Sequence, residues 1–191
     1  KLTNVAAAVA PVTPHARRDV ADRLGATVTT ALVTHRHMDH AGGNAQLAGL
    51  RPGVEIVGSA YETAPAVNVL LEHEEMRIVK DGRLSYRALH TPCHTNGHLC
   101  FVTDTPNPAV FCGDTLFIAG CGRFFEGTAA DMHRSLNTTL ASLPDECLVF
   151  CGHEYTVANL EFAKSVDPHN KSLHQKLEWA RLQIATDRHT V

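Results

Sequence analysis

Residues 34–40 read Thr-His-Arg-His-Met-Asp-His, which places three imidazoles and one carboxylate close together in the chain. Residues 28–33 (Val-Thr-Thr-Ala-Leu-Val) come directly before this stretch and are apolar and β-branched, as in a buried strand. Residues 41–43 (Ala-Gly-Gly) come directly after it and break the strand, so that Asn44 can cap a short helix. The sequence therefore predicts a buried strand that ends in a turn rich in metal ligands.

The four donors of this turn suit more than one metal ion. Because residues i and i+2 of an extended segment lie on the same face, we expect His35 and His37 to bind one ion. Asp39 and His40 follow the bend, and we expect them to turn towards a neighbouring ion. Imidazole and carboxylate groups are common zinc ligands, so the turn predicts a metal site.

Three later segments each offer a further ligand at a strand end or in a turn. Residues 91–98 (Thr-Pro-Cys-His-Thr-Asn-Gly-His) place His94 and His98 around an Asn-Gly turn. An apolar strand ends in Gly-Asp at Asp114, and another ends in Gly-His at His153. One such dipeptide is usually an ordinary turn. All three together with the first cluster predict a centre with two metals.

Composition narrows the functional classes. A chain of 191 residues can bury the core of one domain. A net charge of −3 argues against nucleic acid as a partner, and no apolar run approaches the length of a membrane span. The six cysteines form no Cys-x-x-Cys pair, so we expect reduced thiols in the cytoplasm, with the mitochondrion as the alternative.

Strand and helix patterns alternate along the chain, which predicts an α/β fold. Apolar, β-branched runs predict strands at residues 5–9, 28–34, 54–58, 84–90, 99–103, 109–112 and 147–151. Helical spacing predicts helices at residues 15–24, 129–143 and 173–185. The second helix has a capping box at Thr128 and Asp131, and Ser172 with Gln175 is expected to cap the third.

The motifs at residues 34–44, 91–98, 113–127 and 151–156 resemble those of glyoxalase II, the hydroxyacylglutathione hydrolase branch of the metallo-β-lactamase superfamily. The resemblance covers essentially the whole chain. It implies an αβ/βα sandwich that lacks the first strands and the C-terminal segment of the family. It also implies a catalytic domain at residues 1–165 and the start of a helical glutathione-binding region at residues 166–191.

The same resemblance implies two sets of metal ligands, with one carboxylate and a hydroxide bridging them. The first set is His35, His37 and His94, the second is Asp39, His40 and His153, and the bridge is Asp114. Asp39 and Asp114 are also predicted to be catalytic. Zinc is the expected ion, and the same donors accept iron or manganese. Thr115, Glu154 and His98 are expected to orient ligands from behind.

Substrate contacts follow from the resemblance as well. Arg123, Phe125 and Tyr155 are expected to bind glutathione. Arg123 stands where the family usually has Lys, and Phe125 stands where it usually has Tyr. Ala10 stands where the superfamily usually carries Asp, which removes a hydrogen bond behind the ligands. We expect the protein to act on a small molecule as a monomer.

The predicted reaction is metal-dependent hydrolysis of glutathione thioesters, with S-D-lactoylglutathione giving D-lactate and glutathione. Two ions about 3.5–4 Å apart lower the pKa of a bridging water to about 7. The thiolate leaves readily because the pKa of a thiol is about 8.5. The alternatives are another enzyme of the superfamily, such as a persulfide dioxygenase or a lactamase, and an inactive, shortened paralogue that serves as a metal-stabilised binding module.

Overall fold

The computed structural model describes residues 4–190, in which strands and helices alternate. The strands are β1 (Asn4–Val9), β2 (Ala26–Leu32), β3 (Glu55–Ser59), β4 (Val69–Leu71), β5 (Met76–Ile78), β6 (Ser85–His90), β7 (Leu99–Thr103), β8 (Ala109–Gly113), β9 (Leu116–Phe117), β10 (Gly120–Cys121) and β11 (Leu148–Cys151). The helices are α1 (Pro14–Arg23), α2 (Met38–Ala41), α3 (Asn44–Leu50), α4 (Ala129–Arg134), α5 (Thr156–Val166) and α6 (Lys171–Ala185).

Two sheets form the centre of the molecule. The first has the order β1-β2-β3-β4 and is parallel throughout. The second has the order β11-β8-β7-β6-β5, antiparallel except for the β11–β8 pair. Strands β9 and β10 form a separate antiparallel hairpin.

The main core lies between the sheets. Leu32 and Val57 of the first sheet pack with Tyr86, Leu99 and Phe101 of the second, and all five are buried. Burying one such side chain contributes about 1.5–3 kcal/mol. Because each sheet presents an apolar face to the other, the two sheets form a sandwich.

Helices cover the outer faces of both sheets. Leu47 of α3 packs with Ile56 of the first sheet, and Ala21 of α1 packs with Val28. Leu140, which follows α4, packs with Val110 of the second sheet. This arrangement confirms the predicted α/β class and the αβ/βα sandwich.

The predicted strands are confirmed to within two residues at each end, and so are the helices at residues 15–24 and 173–185. The helix predicted at 129–143 is α-helical only to Arg134 and continues as a π-helical stretch, Ser135–Thr139, and a 3₁₀ turn, Leu140–Ser142. Four short strands and two helices were not predicted: β4, β5, β9, β10, α2 and α5.

Two of the three predicted helix caps are wrong. The capping box of Thr128 and Asp131 is present. Helix α6, however, is capped by Asn170, whose side chain accepts a hydrogen bond from the Leu173 amide at 3.0 Å, rather than by Ser172. Asn44 is the first residue of α3 and not its cap, because its side chain is buried and donates to the Pro65 carbonyl at 2.8 Å.

The C-terminal helices pack on one another. Leu160 of α5 and Leu177 with Ala180 of α6 form a small buried cluster. The predicted division of the chain at residues 165 and 166 stays a prediction. Within residues 4–190, no helix combines the length and the apolar character needed to cross a membrane.

Candidate metal centre

Strand ends from both sheets meet at one edge of the sandwich. The Leu99 amide donates to the Thr34 carbonyl at 2.7 Å, which joins the end of β2 to the start of β7. The Gly152 amide donates to the Gly113 carbonyl at 2.8 Å, which joins the ends of β11 and β8. These two backbone hydrogen bonds bring together four segments that are far apart in sequence, and each segment carries predicted ligands.

The first predicted ligand set converges on one point. His35 Nε2 lies 3.0 Å from His37 Nδ1, and His37 Nδ1 lies 3.0 Å from His94 Nε2. Three nitrogens bound to one tetrahedral zinc at about 2.0–2.1 Å would lie about 3.3 Å apart. The spacing of these three imidazoles therefore suits a single ion.

The second predicted set lies beside the first. His153 Nε2 is 3.2 Å from His40 Nε2 and 3.3 Å from Asp39 Oδ2, while His40 Nε2 is 3.9 Å from Asp39 Oδ2. These two nitrogens and one oxygen also have the spacing of ligands around a single ion.

Asp114 lies between the two sets. Its Oδ2 is 3.5 Å from His94 Nε2 and 3.4 Å from His153 Nε2, and its Oδ1 is 3.2 Å from His40 Nε2. Burial raises the pKa of Asp114, but the neighbouring imidazoles of His40, His153 and His94 hold it below its ordinary value. A buried carboxylate between two imidazole sets is chemically suited to bridge two cations.

The donors as a group fit divalent metal. All are nitrogen or oxygen atoms, and they form three overlapping groups. Within each group, one ligand atom per residue lies within 4.8 Å of the others: His35, His37 and His94; His35, His40 and Asp114; Asp39, His40 and His153. Asp114 Oδ1 is buried without a hydrogen-bond donor. Because a buried anionic oxygen needs a compensating charge, this cluster in this fold indicates binding of divalent metal.

Two ligands of the first set are oriented by partners behind them. His94 Nδ1 donates to the backbone carbonyl of Arg123 at 3.0 Å. A carbonyl oxygen can only accept, so the proton is on Nδ1 and the lone pair of Nε2 faces the centre. His35 Nδ1 lies 3.1 Å from the hydroxyl of Thr34. Such contacts fix the tautomer and the ring orientation of a ligand.

Asp114 is positioned through His98. The Asp114 amide donates to His98 Nε2 at 3.1 Å, so the proton of His98 is on Nδ1, near the hydroxyls of Thr91 at 3.0 Å and Thr115 at 3.1 Å. Burial, with His94 nearby, lowers the pKa of His98 to about 3, which keeps the ring neutral. Thr115 therefore acts on Asp114 through His98 rather than directly.

Glu154 is expected to orient a metal ligand, but it forms no hydrogen bond with the neighbouring His153. Its carboxylate instead accepts hydrogen bonds from the Thr190 hydroxyl at 2.9 Å and from the Thr156 amide at 3.4 Å. Burial raises the pKa of Glu154, but these hydrogen bonds hold it below its ordinary value. The His153 ring instead stacks on the Tyr155 ring, with 4.9 Å between the ring centroids.

Two glycines allow the backbone to approach Asp114. A Cβ added at Gly122 would lie 1.9 Å from the Asp114 carbonyl oxygen, and one added at Gly152 would lie 2.4 Å from Asp114 Oδ1. Both distances are far below van der Waals contact, so only glycine fits at either position.

The three predicted substrate residues are exposed and lie near ligands of the two donor sets. The Phe125 ring lies 5.2 Å from the His94 ring and 5.8 Å from the His37 ring, and it is 59% exposed. Tyr155 is also exposed and lies on the side of His153. The Arg123 side chain is exposed, while its backbone holds His94. The structure thus places two exposed aromatic rings beside the donors, and an exposed arginine at the residue whose carbonyl holds His94.

A cluster of charged side chains beside the first donor set was not predicted from the sequence. The guanidinium of Arg36 pairs with Glu126, and the Arg36 amide donates to Glu62 at 2.8 Å. The same two carboxylates accept from the Asn96 amide at 2.6 Å and the Gly97 amide at 3.2 Å. This cluster ties the loop that carries His94 to residue 36.

Comparison with known proteins agrees with this geometry. Residues 12–153 match the family described as Metallo-beta-lactamase superfamily, and residues 154–191 match the family described as Hydroxyacylglutathione hydrolase C-terminus. A cytoplasmic hydroxyacylglutathione hydrolase of Arabidopsis thaliana is 45% identical over 193 residues, covering 99% of this chain and 74% of the relative. The chain belongs to the hydroxyacylglutathione hydrolase family. This membership confirms the predicted class, a thioester hydrolase of that type.

Other relatives match this chain at lower sequence identity. A hydroxyacylglutathione hydrolase-like protein of Gallus gallus is 40% identical, covering 99% of this chain and 67% of the relative. The solved structure of ETHE1 from Myxococcus xanthus has a TM-score of 0.67 at 33% identity, covering 79% of this chain and 65% of that one. TTHA1623 in a di-iron-bound form has a TM-score of 0.61 at 25% identity, covering 73% and 77%. The chain thus spans about two thirds to three quarters of the length of these proteins.

Proposed function

We propose that this protein hydrolyses glutathione thioesters with two divalent metal ions, and that its substrate is S-D-lactoylglutathione. The observation that carries the proposal is the position of Asp114, within 3.5 Å of ligand atoms from both donor sets. His35, His37 and His94 would hold one ion, Asp39, His40 and His153 the other, and Asp114 would bridge them.

The bound ions would lower the pKa of a water to about 7 and polarise the thioester carbonyl. The protein contributes position and a buried setting. His98 and the Arg123 carbonyl hold Asp114 and His94 in place, and Asp39 and Asp114 supply the negative charge. No side-chain acid is needed for the leaving group, because a thiol pKa of about 8.5 already makes thiolate a fair leaving group.

Recognition of the thiol is proposed for the residues around the open side. The exposed guanidinium of Arg123 suits a carboxylate of glutathione, and the rings of Phe125 and Tyr155 offer apolar surface on either side of the donors. These contacts lie outside the donor cluster, so they would supply substrate affinity rather than bond cleavage.

Three further assignments belong to the proposal. Zinc is the default ion, with iron or manganese as alternatives because imidazole and carboxylate donors accept all three. A cytoplasmic location is supported by the Arabidopsis relative, which is described as cytoplasmic, and by the six free cysteines. We propose a monomer as the active unit.

The deciding experiment is an assay of S-D-lactoylglutathione hydrolysis, with zinc, iron and manganese measured on the same sample. We expect about two metal ions per chain, loss of turnover on chelation and recovery on adding zinc. One iron per chain with oxygen uptake on a glutathione persulfide would favour a dioxygenase instead. Two metals with neither activity would favour a metal-stabilised binding module and overturn the proposal.

A further inference from the structure

One ligand of the centre has a buried nitrogen without a partner. His40 is 1% exposed, and its Nε2 faces Asp114 and His153 at 3.2 Å. Its Nδ1, on the opposite side of the ring, is buried and makes no hydrogen bond. The corresponding nitrogens of His35 and His94 have partners in Thr34 and Arg123. His40 is therefore held in the centre through its Nε2 alone, whereas its Nδ1 makes no hydrogen bond within residues 4–190.

Behind His40 lies a cavity of about 500 Å³ that reaches from the ring to strand β1 and helix α1. Its wall near β1 consists of the side chains of residues 6–10, which are alanines and one valine. Gly113 and Gly152 also line the cavity, and they contribute no side chain. Thr34 also lines it, but its hydroxyl already contacts His35. Among residues 4–190, no group accepts a hydrogen bond from this nitrogen.

Metal binding by His40 determines which kind of group its Nδ1 can bind. A neutral imidazole whose Nε2 lone pair faces a cation carries its proton on Nδ1. His40 Nδ1 is then a donor, and a donor forms a stronger hydrogen bond with a charged acceptor than with a neutral one. Arg17 and His189 line the same cavity and add positive or neutral groups, and no acidic side chain lines it.

We propose that this cavity binds a small carboxylate, of the size of formate or acetate, which accepts the proton of His40 Nδ1. The inference rests on the proposed role of His40 as a metal ligand. A carboxylate behind a ligating imidazole fixes the ring and raises its basicity. Occupancy of the cavity would therefore strengthen metal binding at the position formed by Asp39, His40 and His153.

Ala10 offers a way to place the acceptor permanently. It follows β1, lines the same cavity as His40, and has a φ of 47°, in the left-handed region. Asp and Asn adopt this region more readily than Ala, and Gly adopts it freely. Ala10→Asp would bring a tethered carboxylate into the cavity, while Ala10→Gly would relieve the backbone and add no acceptor. The two variants form a matched pair.

The test is a zinc titration of the metal-free protein against a competing chelator, with formate or with chloride at equal ionic strength. In the wild type, we expect formate to lower the dissociation constant of the more weakly bound zinc. Ala10→Asp should bind that zinc about 10–100-fold more tightly without formate and should not respond to formate. Ala10→Gly should behave as the wild type does.

Two results would overturn the proposal. One is equal zinc affinity in Ala10→Asp and Ala10→Gly. The other is an equal response to formate in Ala10→Asp and the wild type, which would show formate acting directly on the zinc. Failure of the wild type to bind a second zinc under any condition would instead refute the metal assignment of the proposed function. The two failures are therefore distinguishable.

Discussion

The two donor sets contain similar groups but are held differently. In the first set, His35 and His94 are at most 5% exposed, and each has a partner behind its ring. In the second set, the side chains of Asp39 and His153 are 60% and 25% exposed, and His40 has no partner at Nδ1. The ligand types alone would make the two sets bind a metal ion nearly equally well. Burial and the hydrogen bonds behind the rings make the first set the more rigid.

This difference has a consequence for metal binding. A ligand that is already fixed loses less conformational freedom when the ion binds than one that is free to rotate. Exposed carboxylates also remain hydrated and must release water to coordinate. We therefore expect the position of His35, His37 and His94 to hold its ion more tightly than the position of Asp39, His40 and His153.

The largest effect is expected where the two sets join. Asp114→Ala removes the group that contacts both, so hydrolysis should fall below detection and the metal content should fall below two ions per chain. Elemental analysis and the thioester assay measure both quantities. Asp104→Ala is the control, because Asp104 is exposed and contacts Ser85 away from the centre. Full metal content in Asp114→Ala would contradict the bridging role.

The next prediction separates the two sets. On addition of chelator, the wild type should release zinc in a fast and a slow phase. His153→Ala should lose the fast phase and keep the slow one, and His94→Ala should lose the slow phase. A zinc-sensitive dye in a stopped-flow instrument follows the release. If His153→Ala lost the slow phase, the proposed ranking of the two positions would be reversed.

A smaller effect is expected from the support behind the bridge. His98→Ala removes a fully buried ring and leaves the Asp114 amide without its acceptor. The free energy of unfolding of the metal-free protein should fall by about 2–4 kcal/mol. Urea denaturation measures this change. His133→Ala, at an exposed position of α4, should change it by less than about 0.5 kcal/mol, and equal losses in the two variants would contradict the role of His98.

The smallest effect is expected from the Arg123 side chain. Arg123→Ala leaves the backbone carbonyl that holds His94, so metal content should stay unchanged. Loss of one charged contact to the thiol should raise KM roughly tenfold with little change in kcat. Steady-state kinetics on S-D-lactoylglutathione test this, with the exposed Arg83→Ala as the matched control. An unchanged KM would exclude the guanidinium from substrate binding.

Most of the fold could be predicted from local sequence because its longer elements have clear periodicity. Strand β7, Leu99–Thr103, is apolar in its first four residues, and its bounds are as predicted. Strands β4 and β5 have three residues each, too few to show a period. Helix α5 begins at Thr156, inside a stretch whose residues were interpreted as a ligand motif, so its helical spacing was missed.

The donors of the centre could be predicted, but their support could not. His, Asp and Gly at strand ends leave a pattern in the sequence. The Arg123 carbonyl that holds His94 leaves none, because every residue has a carbonyl and the partners are 29 positions apart. The hydrogen bonds of Glu154 with Thr190 depend in the same way on how distant segments pack. The side chains in a site have a sequence signature, while backbone partners are determined by tertiary structure.

The close approach of Gly122 and Gly152 to Asp114 limits how this protein can be engineered. Because not even a methyl group fits at either position, variant libraries aimed at new acyl groups will lose the members that change one of them. Diversity is better placed at Phe125 and Tyr155, whose rings are exposed and whose replacement leaves the backbone around the carboxylate undisturbed.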